Sequence, residues 1–304
     1  MTRRVRVFKV DAFTREPFSG NPAGVVLDGE ALGDAQMLAI ARELNDGDTA
    51  FVLPADGTDH DLRVRFFTPR GEAGFVGHAT VAAQAVLASL GIGNLRRQGQ
   101  RTGIVDIGQQ ATAAGTEFSF TQALPALRGG VSAELLGQVL AALGLAAADL
   151  DARCPPSVGG AGSTRLLLAV RDGAVLAQLQ PDLGRLAAIS AAGAPAGYFL
   201  YTLRPSRPGG LTEARMFCPA IGIAEDPVSG NAHAMLGALL HRHGLLPDSG
   251  GGVEFIGTQG AHVGRPGSVR VTLAAAGGPD ARVTIAGAAK IMLASTFDLP
   301  GSWA

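Results

Sequence analysis

Two segments of this chain are apolar on nearly every side. In the first, Val81, Ala82, Ala85, Val86, Ala88 and Leu90 follow Gly77-His78-Ala79-Thr80 and lead to Gly91. In the second, Met235, Leu236, Ala238, Leu239 and Leu240 follow Gly230-Asn231-Ala232-His233 and lead to Gly244. Opening and closing glycines are fourteen residues apart in both. Apolar positions that leave no polar stripe predict buried helices, each closed by a glycine suited to the left-handed C′ position. The first-turn N–H groups of a helix have no intrahelical acceptor, so both glycine openings are expected to attract anions.

The similarity extends to the flanks. Arg65-Phe66-Phe67-Thr68-Pro69 precedes the first segment and Arg215-Met216-Phe217-Cys218-Pro219 the second, with a loop three residues longer in the second copy. Alternation of Val5, Val7 and Val10 with charged residues predicts a strand to Phe13. Ser19 to Gly24 reads as a tight turn into the strand Val25-Val26-Leu27. Met37, Leu38, Ile40, Ala41 and Leu44 are at helical spacing, and Asn45-Asp46-Gly47-Asp48 ends that helix and feeds the strand Thr49 to Leu53. Arg63 to Phe67 is the next strand, Gly103 to Phe120 reads as paired strands, and Val131 to Leu145 as a peripheral helix.

A linker-like turn, Pro155-Pro156 through Gly159-Gly160-Ala161-Gly162, precedes the strand Leu166 to Val170. The second half then repeats the order of the first: an Asp172-Gly173 turn, a helix with Leu183, Leu186 and Ile189, strands Tyr198 to Tyr201 and Ala214 to Phe217, and the central helix. Glu254-Phe255, Val269 to Leu273 and Val283 to Ala286 add closing strands. This order predicts an α+β protein of two pseudo-symmetric domains, each a mostly antiparallel sheet wrapped around a central helix. The first covers residues 1–122, joined by the tail 288–304, and the second residues 123–287.

Composition refines the picture. The chain is 47% hydrophobic but only 5% aromatic, with 43 glycines in 304 residues, so the cores are expected to be built from small aliphatic side chains. Net charge is −1 without a long like-charge run, which predicts no nucleic-acid partner and no membrane partner. The short basic pieces Thr2-Arg3-Arg4 and Arg96-Arg97 read as solvated surface. No apolar run reaches signal-peptide or membrane-spanning length, which predicts a cytoplasmic protein. Two cysteines, Cys154 and Cys218, are too few for a disulfide framework. Cys218, opposite Thr68 in the repeat, reads as a buried small residue or a thiol lining a site.

Several chemistries lack their residues. There is no P-loop, no complete dinucleotide fingerprint and no Gly-x-Ser-x-Gly elbow. The only lysines, Lys9 and Lys290, offer little for Schiff-base chemistry. His241 and His243 point different ways on a helix, and His60 and His262 lack ligand spacing, so no metal is expected. The remaining candidates converge on the helix openings: Gly77 and His78 at the first, and Asp226-Pro227-Val228-Ser229-Gly230-Asn231 at the second. Asp48, at a strand-entry turn, is the third. Each also has a plain structural reading: Asp226 as an Asx-turn, Asn231 as a helix cap, Asp48 as a turn acid.

Val10-Asp11-Ala12-Phe13-Thr14, Phe18-Ser19-Gly20-Asn21-Pro22, the run from Arg65 to Thr80, Glu225-Asp226-Pro227-Val228-Ser229-Gly230 and Gly264-Arg265-Pro266 together resemble the PhzF family of phenazine-biosynthesis isomerases. The resemblance implies two domains like those of diaminopimelate epimerase, an active site in the cleft between them, no cofactor, and usually a homodimer. The best-known reaction of the family is the isomerisation of trans-2,3-dihydro-3-hydroxyanthranilate by proton transfer. By position, the family's general acid/base glutamate falls on Asp48, within Asn45-Asp46-Gly47-Asp48-Thr49, its histidine on His78 and its aspartate on Asp226. Its Gly-Ser pair falls on Gly230-Asn231. Asp48 is one methylene shorter than the glutamate, and Asn231 carries an amide where the family has a hydroxyl.

The expectation is a cofactor-independent isomerase moving a proton on a small unsaturated or cyclic amino or hydroxy acid. Asp48 is catalytic, its pKa raised by burial, while Gly77, His78, Asp226, Ser229, Gly230 and Asn231 bind the carboxylic acid substrate. A racemase or epimerase of the same fold and an inactive small-acid binding protein are the alternatives. The two-thiol chemistry of the fold's racemases is excluded, because His78 and Asn231 stand where they place cysteines.

Overall fold

Strand-forming and helix-forming stretches alternate in the same order twice, and the backbone follows them. The computed structural model describes residues 3–160, 164–246, 253–274 and 280–300. It divides into two compact units, Met1–Gln122 with Ala286–Ala304, and Ala123–Ile285.

In the first unit β1 (Arg3–Ala12) pairs antiparallel with β2 (Asn21–Leu27). The helix α1 (Asp34–Leu44) crosses to β3 (Asp48–Pro54), which lies parallel to β2. β4 (Leu62–Thr68) runs antiparallel to β3 and carries the short β5 (Gly71–Ala73). After α2 (Gly77–Ser89) the chain returns as β6 (Arg97–Gln100), parallel to β4, and continues antiparallel through β7 (Gly103–Thr112) and β8 (Gly115–Ala123).

The second unit opens with β9 (Leu127–Arg128) and α3 (Ala133–Leu143), then repeats those pairings one by one. β10 (Ser157–Gly159) is antiparallel to β11 (Arg165–Ala169), and α4 (Gly173–Gln178) and α5 (Leu183–Ala191) cross to β12 (Gly197–Thr202), parallel to β11. β13 (Thr212–Cys218) runs antiparallel to β12 and carries the short β14 (Ile223–Asp226). After α6 (Gly230–Arg242), β15 (Val253–Gln259) returns parallel to β13, followed by antiparallel β16 (Gly267–Ala274) and then β17 (Arg282–Gly287). The last strand, β18 (Ala289–Leu299), pairs with β1 in the first unit. A shared order of antiparallel, parallel, antiparallel, then a hairpin and a central helix is what a duplicated domain leaves behind.

The central helices follow from their composition. Each buries ten of its thirteen residues, more than a helix with a solvated face can bury, so both are enclosed. α2 packs on β1, β2, β3 and β18, and α6 on β16. The outer face of each sheet is covered by a second layer. Met37, Ile40 and Leu44 of α1 join Val5, Val7, Val26 and Phe51. In the second unit Leu186 and Ile189 of α5 join Leu166, Leu168, Tyr198 and Leu200. The strand period of two explains the division: Tyr198 and Leu200 face that outer layer, while Phe199 between them meets His233 of α6 edge-on, ring centroids 5.4 Å apart.

Both central helices stop the same way. Gly91 and Gly244 have φ of 78° and 64°. Gly91 donates to the Ala88 carbonyl and Ile92 to Leu87; Gly244 donates to His241 and Leu245 to Leu240. This is the Schellman pattern, which satisfies carbonyls left over at the helix end. A Cβ at either glycine is strained in the left-handed region, so Gly91→Ala and Gly244→Ala are each expected to cost about 1 kcal/mol. Urea denaturation checks this: the midpoint should fall with an unchanged m-value.

Three local expectations change. Asn21 to Gly24 belong to β2 rather than to a turn, and the reversal lies earlier, where Phe13, Phe18 and Gly20 take positive φ. Asp172-Gly173 is a helix start, because the Asp172 carboxylate accepts from the Val175 N–H and so caps α4. Within the turn expected from Pro155-Pro156, Ser157–Gly159 form β10, and its Ala161-Gly162 part lies outside the described residues. Among the described residues no helix is long and apolar enough to cross a membrane.

Candidate active site

Asp48 owes its place to the way α1 ends. Asn45 adopts the left-handed conformation and returns its N–H to the Ala41 carbonyl, Gly47 turns at φ 84°, and Asp48 becomes the first residue of β3, in register with Ala23 of β2. His78 is the second residue of α2, which no side chain caps. Its Nε2 lies 3.6 Å from Asp48 Oδ2, and both side chains are largely buried, 13% and 17% exposed. That separation is too long for a hydrogen bond. It is short enough that a polar group bound to one side chain is within reach of the other. Burial pushes the Asp48 carboxyl up to about 6, where a carboxylate gives and takes protons near neutral pH.

In the second unit the predicted residues form the entry to α6. Asp226 ends β14, and its carbonyl accepts from the Gln259 side-chain amide at 2.7 Å. The Ser229 N–H donates to the carbonyl oxygen of the same amide at 3.2 Å. Ser229 is the N-cap, its hydroxyl accepting from Ala232 N–H. Gly230 is buried while Asn231 is half-buried, and Gly77 and His78 have the same burial at the first opening. In both copies the second helical residue is therefore less buried than the glycine before it. Thus the first unit brings Asp48, Gly77 and His78 together, and the second brings Asp226, Ser229, Gly230 and Asn231 together.

The duplicated register also places what is unequal. Thr49 pairs with Phe67 and Tyr198 with Phe217, and the two phenylalanines occupy the same place in the repeated Arg-x-Phe strand. Asp48 therefore corresponds to Gly197, and only the first unit carries a carboxylate at that position. Cys218 is buried with its thiol pushed up to about 11 by burial, which fits a packing residue rather than a nucleophile. Among the described residues no cluster of three or more histidines, cysteines or carboxylates is arranged to hold a metal.

Sequence reasoning passed over two features. Arg65 and Arg215 make matching forks to Glu72 and Glu225, and each guanidinium lies 5.1 Å from the ring two residues on, Phe67 or Phe217. The repeated Arg-x-Phe carried that signal. Gln259 and His233, which hold the α6 entry, had no motif to mark them beyond the alignment of His233 with Thr80.

A duplicated sheet-and-helix fold with one enclosed central helix in each unit defines a class, that of isomerases with an epimerase-like α+β fold. The family model of PhzC-PhzF, phenazine biosynthesis-like proteins, matches residues 10–295, and the chain belongs to that family. The uncharacterized isomerase YddE of Escherichia coli O157:H7 is 39% identical over 289 residues, covering 94% of this chain and 96% of that protein. A crystal structure of a PhzF-family phenazine biosynthesis protein from Bacillus anthracis matches with a TM-score of 0.85 at 26% identity, over 97% of this chain and 99% of that one. A hydroxyproline epimerase from Agrobacterium vitis, with bound trans-4-hydroxy-L-proline, shares the fold at a TM-score of 0.57 and 15% identity, over 98% of this chain and 93% of that one. The protein is an isomerase of the PhzF-like family with an epimerase-like α+β fold.

Proposed function

We propose that the protein is a cofactor-independent isomerase in which Asp48 moves a proton between two positions of a small unsaturated or cyclic amino or hydroxy acid. The observation that carries this reading is the buried Asp48 carboxylate, raised to about 6 and set 3.6 Å from His78 at the start of α2. Asp48 takes a proton from a carbon next to an unsaturated acid or carbonyl, and the backbone N–H groups at Gly77 and His78 stabilise the negative charge that develops. The same carboxyl then returns the proton elsewhere on the conjugated system. His78 binds a polar substituent such as an amine or hydroxyl. In its own unit the α6 entry has the chemistry to hold a carboxylate at Ser229, Gly230 and Asn231, with Asp226 accepting from a donor group.

The pseudo-equivalent position Gly197 offers no second base, which favours return of the proton by the group that took it. Proton NMR in deuterium oxide tests the reading on a panel of small unsaturated amino and hydroxy acids, the dihydro-hydroxyanthranilate type included. Deuterium incorporation or double-bond migration is expected with wild type and not with Asp48→Ala. Ligands that bind both proteins equally without exchange in either would identify a binding protein instead.

A further inference from the structure

The two central helices solve one local problem differently. Aligning Gly77 with Gly230 places Thr80 at His233 and Val76 at Ser229. In the first unit the Thr80 hydroxyl donates to the Val76 carbonyl at 3.0 Å, and the buried Gln98 amide donates to that hydroxyl at 3.3 Å. In the second unit the His233 ring donates from Nδ1 to the Ser229 carbonyl at 2.8 Å. The β-register says what replaces Gln98. Leu62 pairs with Gln98 and Thr212 with Gly257, and Leu62 and Thr212 are equivalent through Arg65 and Arg215. The small-large pair Thr80 and Gln98 has therefore become the large-small pair His233 and Gly257.

The exchange is steric. A Cβ on Gly257 would lie 2.3 Å from His233 Cδ2 and 2.5 Å from Nε2, so the ring occupies the space that Gly257 leaves. Phe199 closes one side edge-on. Burial here pushes the imidazole down to about 4, so the ring is neutral at physiological pH. A carbonyl can only accept, which puts the proton on Nδ1. Among the described residues Nε2 has no hydrogen-bond partner, so no rival bond turns the ring away from Ser229. The Ser229 carbonyl thus receives both the backbone N–H of His233, at 3.2 Å, and the ring N–H. Its own N–H is held by Gln259.

We infer that His233, seated over Gly257, is a positioning residue for the α6 opening: it fixes the Ser229 peptide, and with it the direction in which the Gly230 and Asn231 N–H groups are presented. The Thr80 and Gln98 pair does the same for α2. As a statement about substrate binding the inference rests on the reading above; as a statement about the peptide it stands on the hydrogen bonds alone.

Long-range proton–nitrogen NMR of the histidine rings in the wild-type chain is expected to show His233 neutral with its proton on Nδ1. A ring protonated on Nε2 overturns the assignment, and this arm needs no variant. Gly257→Ala leaves His233 in place but puts a methyl where the ring lies. It is expected to shift the Gly230 and Asn231 amide resonances and to speed exchange of the 232 and 233 amides, both bonded to Ser229, about tenfold. His233→Thr is expected to do the same. In the His233→Thr background Gly257→Ala should add little, a coupling that independent sites do not show. His233→Thr with Gly257→Gln, which copies the first unit, should restore both readouts. If His233→Thr lowers Tm while those amides keep their wild-type shifts and exchange, His233 is a packing residue and the inference is wrong.

These amide readouts need no substrate, so failure of the isomerase reading leaves them interpretable. With a substrate from the exchange screen, the single variants should raise KM about tenfold and change kcat less than about threefold, as loss of a binding contact does.

Discussion

Asp48→Asn is expected to lower kcat/KM by about a hundredfold to ten-thousandfold while making the protein more stable at neutral pH. The first effect follows from removing the group that carries the proton, since a positioned acid or base contributes roughly 10²–10⁴-fold. The second follows from the same burial that tunes the group. An unfolded aspartate ionises near 3.8, whereas Asp48 in the folded chain does so near 6. Between those values the folded state binds the extra proton, so stability falls as pH rises through the window, and the full penalty stands above 6. Two pKa units correspond to about 3 kcal/mol, and asparagine, which cannot ionise, escapes that cost.

The variant should therefore melt higher than wild type at pH 7 and no higher at pH 3, in calorimetry at the two values. Wild-type kcat/KM should rise with pH through about 6 and then level. A variant that loses activity and stability together would mark Asp48 as a structural residue. An activity independent of pH between 5 and 7 would remove it from the proton path.

Much of this was legible in the chain because duplication writes each element twice. An all-apolar segment between two glycines is ambiguous once; found again at the same spacing behind a second Arg-x-Phe-x-Pro, it fixes a central helix and the strand that feeds it. Asp48 and His78 were legible as candidates because the family motif and the glycine openings mark them. Their separation was not, since it depends on the left-handed Asn45 and on the β2–β3 register, which no local pattern states. The Asp172-Gly173 helix start was misread because Asp-Gly serves both turns and N-caps, and the Val175 N–H that decides between them is a matter of geometry. Gln259 and His233 escaped notice for a similar reason. Their partners are backbone groups, and backbone groups leave no trace in side-chain chemistry.

The largest stability loss is expected at Arg215. Its guanidinium makes a two-pronged bond to Glu225 at 2.9 and 2.8 Å, donates to the Leu176 and Leu179 carbonyls at 3.1 Å each, and stacks on Phe217. It is 7% exposed. Arg215→Ala leaves a carboxylate that is itself 11% exposed without its cation, and two carbonyls without donors. Breaking a buried pair from one side costs about 3–5 kcal/mol, a Tm loss of roughly 6–20 °C at about 2–4 °C per kcal/mol for a unit of this size. Arg215→Lys should recover only part, because a point charge cannot serve both carboxylate oxygens and two carbonyls from one plane.

Arg65 is the internal control. It repeats the fork to Glu72 and the ring contact, but its other side-chain partner among the described residues is Asp34, which is 79% exposed and can turn to water. Arg65→Ala should therefore cost less than Arg215→Ala under the same conditions. Equal costs would mean that the fork alone carries the energy and the two carbonyls contribute nothing. Glu225 sits beside Asp226 on β14, and that strand leads into Ser229 and α6. Losing Arg215 should thus speed amide exchange at Asp226 and Ser229 before it unfolds the unit, so the α6 opening is held from the strand side by an ion pair and from the helix side by His233.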